Sequence, residues 1–195
     1  MKILVLGRKG QLGRCLYDHL EKTDHNVIYT SRDQLDIKDF DVTKSQIERI
    51  SPNIIINATA YTAVDKAEKD HHNADLINHL AVANIGHICS QLGCWLVHVS
   101  TDYVFDGASA VAYKEEDKAN PQCVYGDTKF KGELAIKSSG CKHIIIRTAW
   151  VFSEYGNNFL KTMLRLGEER SDLRIVGDQI GCPTYAQDIA NTIVI

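Results

Sequence analysis

Little in this sequence would direct it to nucleic acid, a membrane or an oxidising compartment. Acidic residues outnumber basic ones, 25 against 22, for a net charge of −3, and there is no basic tail or stripe. Nucleic acid is therefore not an expected partner. No apolar run approaches the roughly 18 residues of a membrane span, so no membrane partner is expected either. The opening run Met1–Leu6 is broken by Gly7 and Arg8 too soon to be a signal peptide, and it reads as a strand. The six cysteines (Cys15, Cys89, Cys94, Cys123, Cys141 and Cys182) are scattered, with no C-x-x-C pair and no metal-like C…H framework. They read as reduced thiols of a cytoplasmic protein. His71, His72, His79 and His87 crowd one region without H-E-x-x-H spacing, so no metal site is expected. The absence of a G-x-S-x-G elbow disfavours a serine-hydrolase triad. Internal repeats and low-complexity segments are also lacking.

What is present is an alternation of strand-like and helix-like segments over 195 residues, enough for one sizeable domain or one domain plus part of another. Lys2–Leu6, Val27–Tyr29, Ile54–Ile56, Trp95–Val99 and Ile144–Ile146 read as strands. Gln11–Leu20, Asn73–Leu92, Thr128–Lys137 and Phe159–Arg170 read as helices. Continuous apolar runs suit strands buried on both faces. The expected fold is therefore α/β, a Rossmann-like doubly wound parallel sheet with helices on both faces. The stretch from Asp106 to Cys123 lacks periodicity and reads as a long loop near the site. Tyr185–Ile195 begins an amphipathic helix, and the sequence stops without a Gly, Pro or polar cap. A chain cut short, or a short natural variant, is expected. Residues 1–195 read as one NAD(P)-binding domain, with the start of a substrate-binding lobe from about 150 onward.

The chemistry sits in four places. Gly7-Arg8-Lys9-Gly10-Gln11-Leu12-Gly13 joins the first strand to the first helix in G-x-x-G-x-x-G spacing. Glycines there permit a tight turn and let a pyrophosphate reach free N–H groups at a helix N-terminus. The second strand leads into Thr30-Ser31-Arg32-Asp33. An acidic residue at that point would bind the ribose 2′-hydroxyl of NAD, whereas hydroxyls and Arg32 suit the 2′-phosphate of NADPH. NADPH is preferred, and Asp33 leaves NADH open. Asn57-Ala58-Thr59-Ala60-Tyr61-Thr62 follows an apolar strand with small residues that let a cofactor pass closely, while Asp65 and Glu68 read as helix-entry charges. Finally, Ser100-Thr101-Asp102 ends a strand, and Tyr125 and Lys129 stand one helical turn apart. A Tyr beside a Lys ammonium is a better acid, and the Thr101 hydroxyl can help orient a carbonyl oxygen. Each signal alone has an ordinary structural explanation; their order along one chain is what makes a reductase site.

These residues resemble the extended branch of the short-chain dehydrogenase/reductase superfamily and, within it, the dTDP-4-dehydrorhamnose reductases. The matching segments are Gly7–Gly13, Asn57–Glu68, Ser100–Phe105, Val124–Lys129 with Gly132-Glu133, Arg147–Val151, Gly156–Phe159 and Asp178–Thr184. The resemblance implies NADPH-dependent reduction of the 4-keto group of dTDP-4-dehydro-L-rhamnose, a nucleotide-sugar substrate. It implies Tyr125 as proton donor, Lys129 as holder of the nicotinamide ribose and tuner of Tyr125, and Thr101 as support for the carbonyl. Gly10, Gln11 and Leu12 would face the pyrophosphate, and Asp36 and Ile37 the adenine. Ala60, Tyr61 and Thr62 would line the cofactor path, and Thr101, Asp102 and Trp150 would contact the sugar nucleotide. Some members carry a glutamate two residues after the last loop glycine, contributing to a magnesium site associated with dimerisation. Cys15 stands there, so no such site is expected, while a homodimer stays open. Members of the family also continue by about half this length again, which the resemblance assigns to the sugar-nucleotide pocket. Two other readings remain: a non-catalytic NADP-binding subunit like the regulatory subunit of methionine adenosyltransferase, and another nucleotide-sugar reductase or epimerase.

Overall fold

A computed structural model describes residues 1–194. Five strands, β1 (Lys2–Leu6), β2 (Asn26–Thr30), β3 (Ile54–Asn57), β4 (Trp95–Thr101) and β5 (Lys142–Thr148), form one parallel sheet in the order β2-β1-β3-β4-β5. The apolar runs alternate into two cores, one on each face. Leu4, Leu6, Ile55 and Leu96 face one core with Ile47, Ile85, Ile88 and Ile136. Ile3, Val5, Ile56 and Val97 face the other with Leu12, Leu16 and Ile189. A strand with both faces buried needs no polar alternation, which is why these runs read as continuous.

The first core is covered by α2 (Phe40–Ile50), α5 (Ala81–Leu92) and α6 (Val124–Ser139), the second by α1 (Gln11–Leu20) and α8 (Ala186–Val194). Two short helices, α3 (Val64–Ala67) and α4 (His71–Asp75), lead into α5 through a wide π turn at Leu76–Leu80. A small second sheet pairs β6 (Val151–Phe152) with β7 (Thr184–Tyr185), and α7 (Phe159–Glu169) lies between them in sequence. Among the described residues no helix is long and apolar enough to cross a membrane.

The strands and helices read from the sequence are present, with α6 longer by several residues at its start. Helix α2 has no counterpart in the sequence reading. Asp39 caps it by accepting a hydrogen bond from the Val42 N–H at 3.0 Å, but only Thr43 and Ile47 along it are buried, too thin a stripe to stand out. Helix α8 returns to pack on α1, and Ala186, Ile189 and Ala190 are buried with Leu12 and Leu16. Helix α7, by contrast, buries none of its residues.

Candidate active site

The strand order reverses direction between β1 and β3, and the crevice beyond the strand ends at such a point is where open α/β sheets take ligands. A cleft of about 560 Å³ lies there. Its lining includes Gly7 and Gly10 after β1, Ser31, Arg32, Asp36 and Ile37 after β2, and Ala58 to Thr62 after β3. Gly7 has φ +93°, and a Cβ on it would press on the Ala58 carbonyl. A Cβ on Gly13 would overlap the Gly7 carbonyl, so the strand and helix can meet this closely only without side chains. The cradle therefore fits a dinucleotide pyrophosphate, and α1 opens with no side-chain cap to compete for its first-turn N–H groups.

Gln11, Leu12 and Gly13 contribute differently from Gly7 and Gly10. None of the three is in the lining of the cleft. Leu12 is core, and the Gln11 Oε1 accepts from Ser153 Oγ at 3.1 Å and Asn158 Nδ2 at 2.9 Å, tying the loop after β6 to the start of α1. Only their backbone N–H groups remain for an anion. On the ribose side, Asp33 is paired with Lys9, whose ammonium holds its carboxyl below the ordinary range. Arg32 lies 3.7 Å from Asp36. Arg32 and Lys9 thus both border the cleft near the end of β2.

One residue not singled out from the sequence, Asn78, and one read there differently, Glu68, hold the cleft in shape. Asn78, fully buried in the π turn, donates to the Tyr61 carbonyl at 3.1 Å and accepts from the Tyr61 N–H at 2.9 Å. Its Nδ2 also reaches Thr128 Oγ1 on α6 at 3.3 Å, so one amide fixes the cofactor loop to the candidate catalytic helix. Glu68 accepts from the Val124 N–H at 2.8 Å, which makes it a cap for α6 rather than an entry charge of its own segment. The helical period through 73–92 is unbroken in the sequence, so nothing there marked the extra residue of the π turn.

Thr101 at the end of β4 and Tyr125 near the start of α6 come together as expected. The Thr101 hydroxyl acts on the Tyr125 phenol, Thr101 Oγ1 donates to Asp102 Oδ1 at 3.1 Å, and the Tyr103 and Tyr125 rings pack edge to face at 5.5 Å. Gly126 lets α6 approach this turn, since a Cβ there would overlap the Tyr103 carbonyl. Register pairs Thr101 with Thr148, and Trp150 follows two residues beyond the same sheet edge, with φ +47° and its indole against Gly181. No hydrogen bond or ring contact joins Trp150 to Thr101 or Asp102 among the described residues.

The electrostatics depart from the sequence reading at one point. Tyr125 is not made a better acid by Lys129. Burial pushes its phenol up to about 12, the Thr101 hydroxyl opposes this, and the Asp102 charge adds to the rise. Lys129 is fully buried, and desolvation pushes it down to about 8 against the pull of Glu133. Its Nζ donates to the Val99 carbonyl at 2.6 Å and lies 3.3 Å from His98 Nε2, so its charge is both weakened and directed at β4. Asp102, itself partly buried, is raised by that burial.

A parallel sheet with a glycine cradle at its switch point and a Thr/Tyr/Lys set beside it defines a dinucleotide-binding protein of the short-chain dehydrogenase/reductase type. Within that class the chain belongs to the family described as the RmlD substrate binding domain, whose family model matches residues 1–195. It is 44% identical over 194 residues to a dTDP-4-dehydrorhamnose reductase of Aggregatibacter actinomycetemcomitans, covering 99% of this chain and 66% of that protein. A crystal structure of a dTDP-4-dehydrorhamnose reductase from Clostridium acetobutylicum superposes with a TM-score of 0.97 at 40% identity, covering 100% of this chain and 69% of that one. The Bacillus anthracis dTDP-4-dehydrorhamnose reductase, solved in complex with NADP, gives a TM-score of 0.96 at 38% identity, covering 99% of this chain and 69% of that one. This chain spans about 65% of the length of the curated relatives it matches.

Proposed function

We propose that this chain carries the cofactor site and the proton donor of an NADPH-dependent reductase acting on the 4-keto group of a dTDP-4-dehydro-sugar, of the dTDP-4-dehydrorhamnose kind. The observation that carries this reading is that Thr101 meets Tyr125 at the C-terminal end of β4, the same end of the parallel sheet at which the glycine cradle opens on the switch point. NADPH bound in the cleft would supply a hydride to the keto carbon. Gly7 and Gly10, with the first-turn amides of Gln11, Leu12 and Gly13, would hold its pyrophosphate. Arg32 would lie toward the 2′-phosphate, Asp36 and Ile37 toward the adenine, and Ala60, Tyr61 and Thr62 along the path between. Lys129 would hold the nicotinamide ribose.

As the carbon gains its hydride, the developing alkoxide takes the proton of Tyr125. Thr101 keeps that oxygen within reach of the phenol. With its acidity held near 12, Tyr125 is fully protonated at neutral pH and therefore loaded as a donor. Asp102 after β4 and Trp150 after β5 would contact the sugar nucleotide, and α7 with the largely exposed residues 170–183 would begin a substrate lobe. A cytoplasmic location agrees with six unpaired cysteines. A homodimer remains the proposed assembly, read by sedimentation.

The test is NADPH oxidation with dTDP-4-dehydrorhamnose, with product analysis, alongside cofactor binding by fluorescence. Turnover with a dTDP-rhamnose product supports the proposal. NADPH binding without turnover favours the non-catalytic reading, and a different product makes the chain another nucleotide-sugar enzyme.

A further inference from the structure

His98 lies in the middle of β4, fully buried, with a nitrogen facing each of two polar neighbours. Its Nδ1 is 3.2 Å from Asn57 Nδ2, and its Nε2 is 3.3 Å from Lys129 Nζ. Which nitrogen carries the proton follows from the next link. Asn57 Oδ1 accepts from the Thr59 N–H at 3.1 Å and from Thr59 Oγ1 at 2.5 Å. A backbone N–H can only donate, so the atom of Asn57 facing it is oxygen and the atom facing His98 is the NH₂. That NH₂ needs an acceptor, which makes Nδ1 the bare nitrogen. The single proton of a neutral His98 then sits on Nε2, aimed at Lys129.

An ammonium has three donors and no acceptor, whereas an uncharged amine has a lone pair. We infer that His98 is a positioning residue for Lys129: locked by Asn57 as the Nε2–H tautomer, it directs its proton at Nζ and favours the uncharged amine over the ammonium. Burial supports both halves. It pushes His98 well below the ordinary imidazole range and Lys129 down to about 8. Among the described residues the carboxylate that acts on Lys129 is Glu133, one turn along α6, and it is already held by Arg147 from β5 and Ser100 from β4. Thr59 also lines the cofactor cleft, so the chain Thr59–Asn57–His98–Lys129 runs from the cofactor loop to the lysine.

The role of Lys129 that this tunes rests on the reductase reading, but the tautomer and the titration are properties of the free protein. The experiment is ¹⁵N NMR of the histidine rings, with ¹³Cε NMR of Lys129, from pH 6 to 10. In the wild type His98 is expected to stay neutral with Nε2 protonated, and Lys129 to titrate at or below pH 8. In Asn57→Asp a carboxylate faces Nδ1, so the proton is expected to move to Nδ1 and the Lys129 midpoint to rise by at least tenfold in proton concentration. An Nδ1–H or doubly protonated His98 in the wild type between pH 6 and 8 overturns the inference. So does a Lys129 midpoint that rises in the variant without the tautomer moving, since the added charge alone then explains it, or one that does not rise. If the variant fails to fold, the wild-type tautomer still decides. None of these outcomes depends on turnover, so the reductase reading stands or falls separately.

Discussion

At the residue scale the site separates the group proposed to give a proton from the group whose charge is adjustable. Tyr125 keeps its proton across the working range. Tyr125→Phe is expected to lower turnover by about 10²–10⁴-fold while leaving NADPH binding close to wild type; an unchanged rate in steady-state assays would remove Tyr125 from the mechanism. Lys129 carries a stability cost of opposite sign to a paired surface lysine. Its folded value of about 8 lies below the ordinary 10.5, so between these pH values the unfolded chain holds a proton that the folded one has lost. Stability therefore rises with pH across that window, and below it the full cost of burying the charge is present. Lys129→Met is expected to stabilise the fold at pH 7 by up to about 3 kcal/mol, a gain that fades by pH 10.5. Urea unfolding of both proteins at pH 7 and 9.5 checks the trend.

At the scale of elements, α6 is the part on which the rest converges. It meets the turn after β4 at Gly126, the π turn through Thr128, and β4 and β5 through Glu133, which binds Ser100 Oγ at 2.6 Å and Arg147 Nη2 at 2.7 Å. Arg147 also donates to the Glu115 carbonyl at 3.3 Å and lies over the Phe105 ring, so the same guanidinium ties down the 106–123 loop. Arg147→Met leaves a carboxylate buried without its partner and is expected to cost about 3–5 kcal/mol, with faster proteolysis inside that loop. Asn78→Leu keeps the volume and removes the amide that grips Tyr61 on both sides. We expect it to cost about 1–3 kcal/mol in stability and to weaken NADPH binding, measured by fluorescence titration, more than it slows a saturated enzyme.

At the scale of the whole molecule, the last described helix belongs to the second core, the one that α1 covers. Ile189 is buried against residues near the N-terminus, and Ile189→Ala is expected to cost about 2–5 kcal/mol in chemical unfolding despite its distance in sequence from them. Long-range packing of this kind is what sequence periodicity does not show: the apolar face of 186–194 was legible, its partner α1 was not. The parallel sheet was legible because Ile3–Leu6, Ile54–Ile56 and Leu96–Val97 are apolar on both sides. Tyr125, Lys129 and Thr101 were legible because their spacing is a chemical signature. The tuning of Tyr125 was misread, because the charge of a lysine depends on burial that no spacing reports. His98 gave only a weak signal, a histidine inside an apolar strand, and Asn78 gave none, since an asparagine in a helical period looks like any exposed polar residue.

The π turn at Leu76–Leu80 has a consequence for how the chain can change length. In a regular helix each residue advances the direction of the side chains by about 100°. The π turn absorbs one residue without lengthening the ladder of hydrogen bonds by a regular step, so it works as a phase shifter between α4 and α5. Deleting one residue there would leave a helix that is locally better than the present one. It would also rotate Asn73 and Asp70, with the Tyr61 hydroxyl that Asp70 accepts from, out of phase with α5 and its core contacts. A more regular helix at this point would therefore be an error of phase, and a one-residue deletion in 76–80 is the length change this fold should tolerate least.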